Sequence, residues 1–302
     1  MPDQNIYDMM KKILLTAALF GVVQAHAQYK MDLEAHRGGR GLMPENSIQA
    51  MIAAVDMGVT TLELDLGISK DGAVVVSHDS YMAADFMLKP DGSEITKDEE
   101  KKLLLYGMDY ATIRSYDGGT KPHAQFPDQK KFKTYKPLFT ELIDSVENYI
   151  KSHHLKPVNY NVEIKSSANG DGTAHPLPNV FVKKVMDIVL AKRLSKRLII
   201  QSFDVRPLQV LHRDYPQQKL SFLVANKNTY ADNIKNLGFT PDAYSPYYLM
   251  VTKDMVDAAH QQKVTVIPWT VNSIADIKKM EAMGVDGIIS DYPNLLMEVF
   301  GK

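Results

Sequence analysis

Beyond residue 28, short apolar runs alternate with longer stretches whose apolar positions repeat every three or four residues. The runs are "DLEAH" (32–36), "TTLELDL" (60–66), "NYNVEIK" (159–165), "RLIIQSF" (197–203), "KLSFLVA" (219–225), "DAYSP" (242–246), "VTVIPWT" (264–270) and "DGIISD" (286–291). Each has the length and the β-rich character of a strand. The stretches between them read as amphipathic helices. In "NSIQAMIAAVDMG", Ile48, Met51, Ile52 and Val55 share one face, and Asn46 or Ser47 can cap the start. Gly58 and Gly284 stand where a helix end wants a left-handed residue. Eight strands alternating with helices predict an α/β protein of the (β/α)8 TIM-barrel type. The chain of 302 residues leaves, after a short leader, roughly the 250 residues typical of such a barrel. An open doubly wound sheet is the rival, but no glycine-rich nucleotide turn follows any strand.

One region breaks the rhythm. After "LELDL" a tight "SKDG" turn leads into "AVVVSHD", which is expected to fold back as a β-hairpin. Residues 80 to 136 then show no sustained periodicity and read as an insertion after the second strand, either a solvated loop or a lid that shapes a substrate site. The N-terminus changes the picture differently. Residues 1–27 form an extension in which Lys11 and Lys12, an apolar run from Ile13 to Val23 and small residues at Ala25 and Ala27 make the pattern of a secretory signal peptide. Cleavage after Ala27 would leave 28–302 as the barrel domain, in the periplasm or secreted. The run is too short to span a bilayer.

Composition removes several classes of function. Thirty-five Lys and Arg against thirty-six Asp and Glu give a net charge of −1, without the basic excess of a nucleic-acid or anionic-membrane surface. The chain has no cysteine, which excludes thiolate nucleophiles, disulfides and cysteine-ligated zinc. An anionic substrate must therefore be caught by a few placed cations.

Candidate chemistry gathers at the strand ends. Residues two apart on a strand point to one side, so Glu63 pairs with Asp65, and Glu163 with Lys165. Both pairs fall near the C-terminal ends of their strands, the rim on which barrels build active sites. Three carboxylates converging there would repel one another unless a cation joined them, and an all-oxygen ligand set suits Mg2+ or Ca2+ first, manganese next. His36 ends the first strand and His78 the returning hairpin strand, a pair suited to general acid–base work. Arg37 can bind phosphate oxygens through two parallel hydrogen bonds, Lys165 supplies a point charge, and Gly38 and Gly39 let the backbone approach a ligand. Together they describe a metal-assisted phosphate site.

The blocks "HRGGRGLMPENS", "LELDLGISKDGAVVVSHD", "VEIK", "IIQSFD", "WTVN" and "GVDGIISDYP" resemble, in order and spacing, the glycerophosphodiester phosphodiesterase family. The likeness runs from residue 32 to the end, and the first two blocks are its specific part. It implies a (β/α)8 barrel with a small insertion after the second strand. It also implies His36 and His78 as the acid–base pair, Glu63, Asp65 and Glu163 as divalent-metal ligands, and Arg37 and Lys165 as phosphate-binding cations. Trp269 matches an aromatic lining the substrate pocket. Glu45 of "PEN" falls in a family motif that loop bracing explains equally well, and Asp291 reads as structural. The continuation "HDSYMAADFMLKPDG" departs from the arginine and paired threonines frequent in the family, so the substrate end of the insertion does not transfer. Glu34, two before His36, lies where a barrel interior usually holds an apolar side chain.

The expected activity is release of an alcohol and glycerol phosphate from deacylated phospholipid headgroups, with a small-molecule phosphodiester as partner. Two rivals stand beside it. One is a lysophospholipase-D-like enzyme, whose apolar channel "YMAADFML" could supply; the other is a non-catalytic phosphodiester-binding protein. His123 and Tyr81, both in the insertion, could reach a headgroup, whereas histidines 153, 154, 175, 212 and 260 are expected to be solvated.

Overall fold

The computed structural model describes residues 31–301. The expected signal peptide and its cleavage point lie outside the described residues. Among the described residues there are nine strands: β1 (Asp32–Ala35), β2 (Thr61–Ile68), β3 (Val74–Val76), β4 (Asn159–Ile164), β5 (Leu198–Ser202), β6 (Lys219–Val224), β7 (Ala243–Pro246), β8 (Thr265–Val266) and β9 (Gly287–Ser290). Eight of them run parallel in the order β8-β7-β6-β5-β4-β2-β1-β9, and β3 pairs antiparallel with β2. Backbone bonds close the ring between its two ends, from Asp286 N to the Val266 carbonyl (2.9 Å) and from Ile289 N to that of Pro268 (3.0 Å). The fold is the expected TIM barrel, with helices on its outside. Each expected strand is found, but β8 is only two residues of the seven in "VTVIPWT", because Pro268 has no N–H for a ladder.

Alternation along β2 shows how the chain divides its faces. Leu62, Leu64, Leu66 and Ile68 enter the apolar layer between strands and helices, where Phe139 and Val146 of a helix over Phe139–Ser152 also lie. Thr61, Glu63 and Asp65 occupy the other parity and face the barrel interior, and all eight residues are buried. Burial on both faces is why β2 carries no solvent-facing residue. The interior holds a small apolar plug of Ala243, Ile267 and Ile289. The interior also holds buried polar groups: Glu34 accepts from Asn161 Nδ2 (2.8 Å), and the Ser221 and Ser245 hydroxyls meet at 2.8 Å.

The turn between β1 and helix α1 (Ile48–Met57) carries the first functional block. Ser47 is the N-cap, its side chain accepting from Ala50 N, and Gly58 ends the helix at φ 89°. Asn46 does not cap; it sits at φ 56° and its side chain goes elsewhere. Between them the chain turns sharply, with Arg37 at φ 51° and Gly38 at φ 78°. A Cβ on Gly38 would stand 2.9 Å from Ala50 Cβ, so only glycine lets strand and helix approach this closely.

The insertion is ordered. It holds two short helices, α2 (Lys97–Glu100) and α3 (Tyr110–Arg114). Met82, Met87, Ile95, Leu105 and Ile113 form a small core of their own around Val75 of the hairpin. Met82 and Met87 of "YMAADFML" are buried in this core, whereas its Tyr81, Ala83 and Phe86 line a cavity shared with His78. At its end the insertion returns beside β3: Val76 N donates to the Pro137 carbonyl (2.8 Å), and Val75 pairs with Leu138. Among the remaining histidines His153, His154, His212 and His260 are exposed, as expected. His175 is not: it is buried, accepting from Ser167 N at Nε2 and meeting the Pro176 carbonyl at Nδ1, which makes it a loop brace.

Candidate active site

Register brings the acids together. In the β2–β4 ladder Asp65 stands opposite Glu163, and Glu63 shares Asp65's side two residues below. One oxygen from each of Glu63, Asp65 and Glu163 lies within 4.8 Å of the others, and all three residues are buried. Lys165, at the end of β4, reaches Glu163 Oε2 at 2.8 Å and lies 3.1 Å from Asp65 Oδ1. That second approach is off the direction of a hydrogen bond, and Asp65 Oδ1 has no donor.

The sharp turn after β1 delivers two groups to this cluster. Arg37 N donates to Glu63 Oε2 (2.8 Å), and His36 Nε2 lies 4.0 Å from the same oxygen. The Arg37 guanidinium is buried; Nη1 contacts both oxygens of Glu45 (3.1 and 3.0 Å), and Nε lies 3.4 Å from Asp65 Oδ2. His78 arrives on the hairpin, half-buried, with Nδ1 at 2.9 Å from Asp79 Oδ1. It is near enough for a charge on it to act on Asp65, Glu163 and Glu45. Both histidines therefore flank the carboxylates. Trp269 follows β8. It stands across the ring from β4, its Nε1 bonded to the Ser245 carbonyl and its ring edge-on to Phe203 at 5.2 Å. There it packs with Phe203 and Tyr247.

Charge and burial set the titration of the cluster. Desolvation and the neighbouring Asp65 push Glu63 well above the ordinary carboxyl range. Glu163 is also raised by burial, which Lys165 only partly offsets. Asp65 goes the other way: burial opposes its ionisation, but Lys165 and Arg37 outweigh it. Three such close acids, with Arg37 already shared with Glu45, favour further positive charge beside that of Lys165. A hard divalent cation would provide it, and an all-oxygen donor set with a donorless Asp65 Oδ1 fits such an ion. Glu63, Asp65 and Glu163 are thus residues that could hold a metal.

Several partners were not legible as site residues. Asp291, expected to be only structural, places Oδ1 2.5 Å from His36 Nδ1 and also takes Arg40 Nε (2.7 Å) and Asn272 Nδ2 (2.7 Å). It fixes the imidazole so that Nε2 faces the carboxylates. Burial and Arg37 lower the His36 pKa to about 4, against the pull of Asp291. Asn46 Nδ2 donates to Asp65 Oδ2 (2.9 Å), and Gln201 Nε2 to Glu63 Oε1 (2.9 Å). Glu45 braces Arg37, as loop bracing predicts. Lys136, at the insertion's end, is buried and donates to Ser77 Oγ (2.6 Å), whose own hydroxyl bonds the Asp79 carbonyl (2.6 Å). Of these, Gln201 carried the clearest signal, a polar residue of inward parity in the apolar run "LIIQS". Glu34 is buried beside Asp32 and accepts from Asn161 Nδ2.

A closed parallel barrel whose C-terminal rim gathers buried carboxylates, two imidazoles and two cations defines the class of phosphate-handling barrel enzymes. The chain belongs to the glycerophosphoryl diester phosphodiesterase family, whose sequence profile matches residues 36–295, and hence to the phosphoric diester hydrolases. A glycerophosphodiester phosphodiesterase from Caldanaerobacter subterraneus is 28% identical over 275 residues, covering 89% of this chain and 97% of the relative. A human lysophospholipase D is 24% identical over 282 residues, covering 89% and 84%. Among solved structures, one assigned to the glycerophosphoryl diester phosphodiesterases, from Silicibacter pomeroyi, superposes with TM-score 0.79 at 28% identity, covering 90% of this chain and 93% of that one. A phosphodiesterase from Oleispira antarctica in complex with sn-glycerol-3-phosphate superposes with TM-score 0.70 at 19% identity, covering 91% and 99%; at that identity it speaks for the fold.

Proposed function

We propose that this protein hydrolyses glycerophosphodiesters, the deacylated headgroups of phospholipids, to an alcohol and sn-glycerol 3-phosphate. The carrying observation is the convergence of Glu63, Asp65 and Glu163 within 4.8 Å, flanked by His36 and His78. Held by these acids, a divalent ion would polarise the phosphoryl group and offset its charge. Lys165 and the Arg37 guanidinium bring positive charge to the phosphoryl oxygens. His36, neutral at pH 7 and anchored through Nδ1, takes the proton of the attacking hydroxyl at Nε2; a nearby cation would push its pKa in the same direction. His78, held through Nδ1 by Asp79, gives a proton to the departing alkoxide. Trp269 lines the far side of the mouth, where the substrate's carbon skeleton can rest against it.

The test is release of sn-glycerol 3-phosphate from glycerophosphocholine, with and without a chelator. Turnover that disappears on chelation and returns with Mg2+, Ca2+ or Mn2+ supports the reading. Absence of turnover with every divalent ion would sink it in favour of a binding protein. Lysophosphatidylcholine assayed in parallel addresses the lysophospholipase D reading, which the likeness to the human enzyme keeps in view. We also propose export through the leader at residues 1–27; the mature N-terminus should then be Gln28, read by sequencing protein from the periplasm or medium.

A further inference from the structure

Lys136, where the insertion rejoins the barrel, is a buried ammonium that the reaction above does not use. It is 6% exposed, and its one hydrogen-bond acceptor among the described residues is Ser77 Oγ. A single such bond does not offset the desolvation of an ammonium. Charge supplies the rest. Burial lowers the Lys136 pKa, against the pull of Asp79 first and then of Glu45 and Asp65, while Arg37 adds to the lowering. The Phe86 ring offers its face, with the ring centre 5.7 Å from Nζ. A hydrophobic side chain of similar size would commonly serve folding as well, which points to a use for this charge outside stability.

The end of the hairpin shows that use. The Ser77 hydroxyl that receives Lys136 donates in turn to the Asp79 carbonyl (2.6 Å), and Ser77 N donates to the Asp65 carbonyl (2.8 Å). His78 stands inside this turn, and among the described residues its ring has one hydrogen-bond partner, Asp79 Oδ1. Burial opposes the ionisation of Asp79, but the His78 bond and the charges of His78, Lys136 and Arg37 hold it below the ordinary carboxyl range. The imidazole is thus oriented by one carboxylate, and that carboxylate by a turn and a charge that both lead to Lys136. We propose, resting on the phosphodiesterase reading above, that Lys136 is a positioning residue for proton donation. Through Ser77 it holds the turn at residues 77–79, and through its charge it keeps the Asp79 carboxylate against His78 Nδ1, leaving Nε2 for the departing alkoxide. Its hydrogen bond goes to none of Glu63, Asp65, Glu163, Arg37 or Lys165, so its removal spares the groups that would hold metal and phosphoryl oxygens.

Leaving groups separate positioning from a merely structural role. A departing alkoxide needs the proton of His78, whereas p-nitrophenolate is stable without one. The experiment measures kcat and KM of the metal-loaded enzyme for glycerophosphoethanolamine and for the p-nitrophenyl ester of glycerol 3-phosphate. In Lys136→Met, kcat on glycerophosphoethanolamine should fall about 10–100-fold with KM within about twofold of wild type, while kcat on the p-nitrophenyl diester falls less than about threefold. Ser77→Ala, which removes one buried oxygen, carries the same selective loss and decides the matter should Lys136→Met fail to fold. His78→Ala supplies the reference pattern, a larger loss on glycerophosphoethanolamine than on the p-nitrophenyl diester. Equal losses on the two diesters in the Lys136 and Ser77 variants, or unchanged kcat on glycerophosphoethanolamine, overturn the positioning role while leaving the phosphodiesterase reading standing. Equal losses in His78→Ala overturn it too, since the donor is then another group. No glycerol phosphate from either diester with the unaltered enzyme overturns that reading, and the positioning role with it.

Discussion

At the scale of single residues, the site is held by partners rather than by its reacting groups alone. Gln201 is the donor that fixes Glu63 Oε1, so Gln201→Ala frees a carboxylate of the proposed metal site without deleting it. Outer partners of this kind typically contribute 10–100-fold to metal affinity, so the variant should need about that much more Mg2+ or Mn2+ for half-maximal activity. An activation curve at fixed substrate would show it; an unshifted curve would mean Glu63 is positioned by its own packing. Glu34 poses the opposite case. Burial, then Asp32, raise its pKa well above the carboxyl range, so the folded state keeps a proton that the unfolded chain releases. Such a group costs stability as pH rises above the unfolded value near 4.5. Glu34→Gln keeps an acceptor for Asn161 Nδ2 and removes that cost. Its melting temperature should match the wild type near pH 4 and exceed it increasingly toward pH 8, by roughly 2–4 °C per kcal/mol. A constant difference across that range would contradict the assignment.

Two elements do most of the positioning. The turn from β1 into α1 puts His36, Arg37, Glu45 and Asn46 around the acids, and it depends on Gly38 at φ 78° lying against Ala50. Gly38→Ala must push strand and helix apart, at a cost of about 1–3 kcal/mol. The same shift draws Arg37 N away from Glu63, so kcat should fall together with the urea midpoint. Lost stability with full kcat would show that the turn serves folding alone. The second element is the hairpin, pinned by Pro137 and Leu138 as the insertion returns. Hairpin formation was readable from "SKDG" between apolar runs. Its bracing by Lys136 was not, because a lysine near the end of a polar segment looks like any solvated lysine until the fold buries it.

For the whole molecule, the cluster makes metal binding and stability one quantity. An ion that binds only the folded chain stabilises it by about 2.7 kcal/mol at a hundred times its dissociation constant. Melting temperature should therefore rise with added Mg2+, Ca2+ or Mn2+ by roughly 5–10 °C, fall back with chelator, and cease to respond in Glu163→Gln. A response that survives in the Glu163→Gln variant would place the ion elsewhere.

The sequence by itself determined the architecture and the cast of chemistry. Strand and helix periods are local properties, so eight alternating units specify a barrel, and the parity of "LELDL" and "VEIK" alone assigns Glu63, Asp65 and Glu163 to the inner side. Tertiary structure decided the rest. Asp291 becomes the anchor of His36 only because β9 closes the ring against β1, a contact spanning 255 residues that no local pattern encodes. Asn46, Gln201 and Lys136 acquire their roles in the same way, and Trp269 is set across the ring from the acids because strand order, not sequence distance, fixes where each rim residue faces. The insertion, without periodicity to read, became ordered because its scattered apolar residues found one another and Val75 in three dimensions.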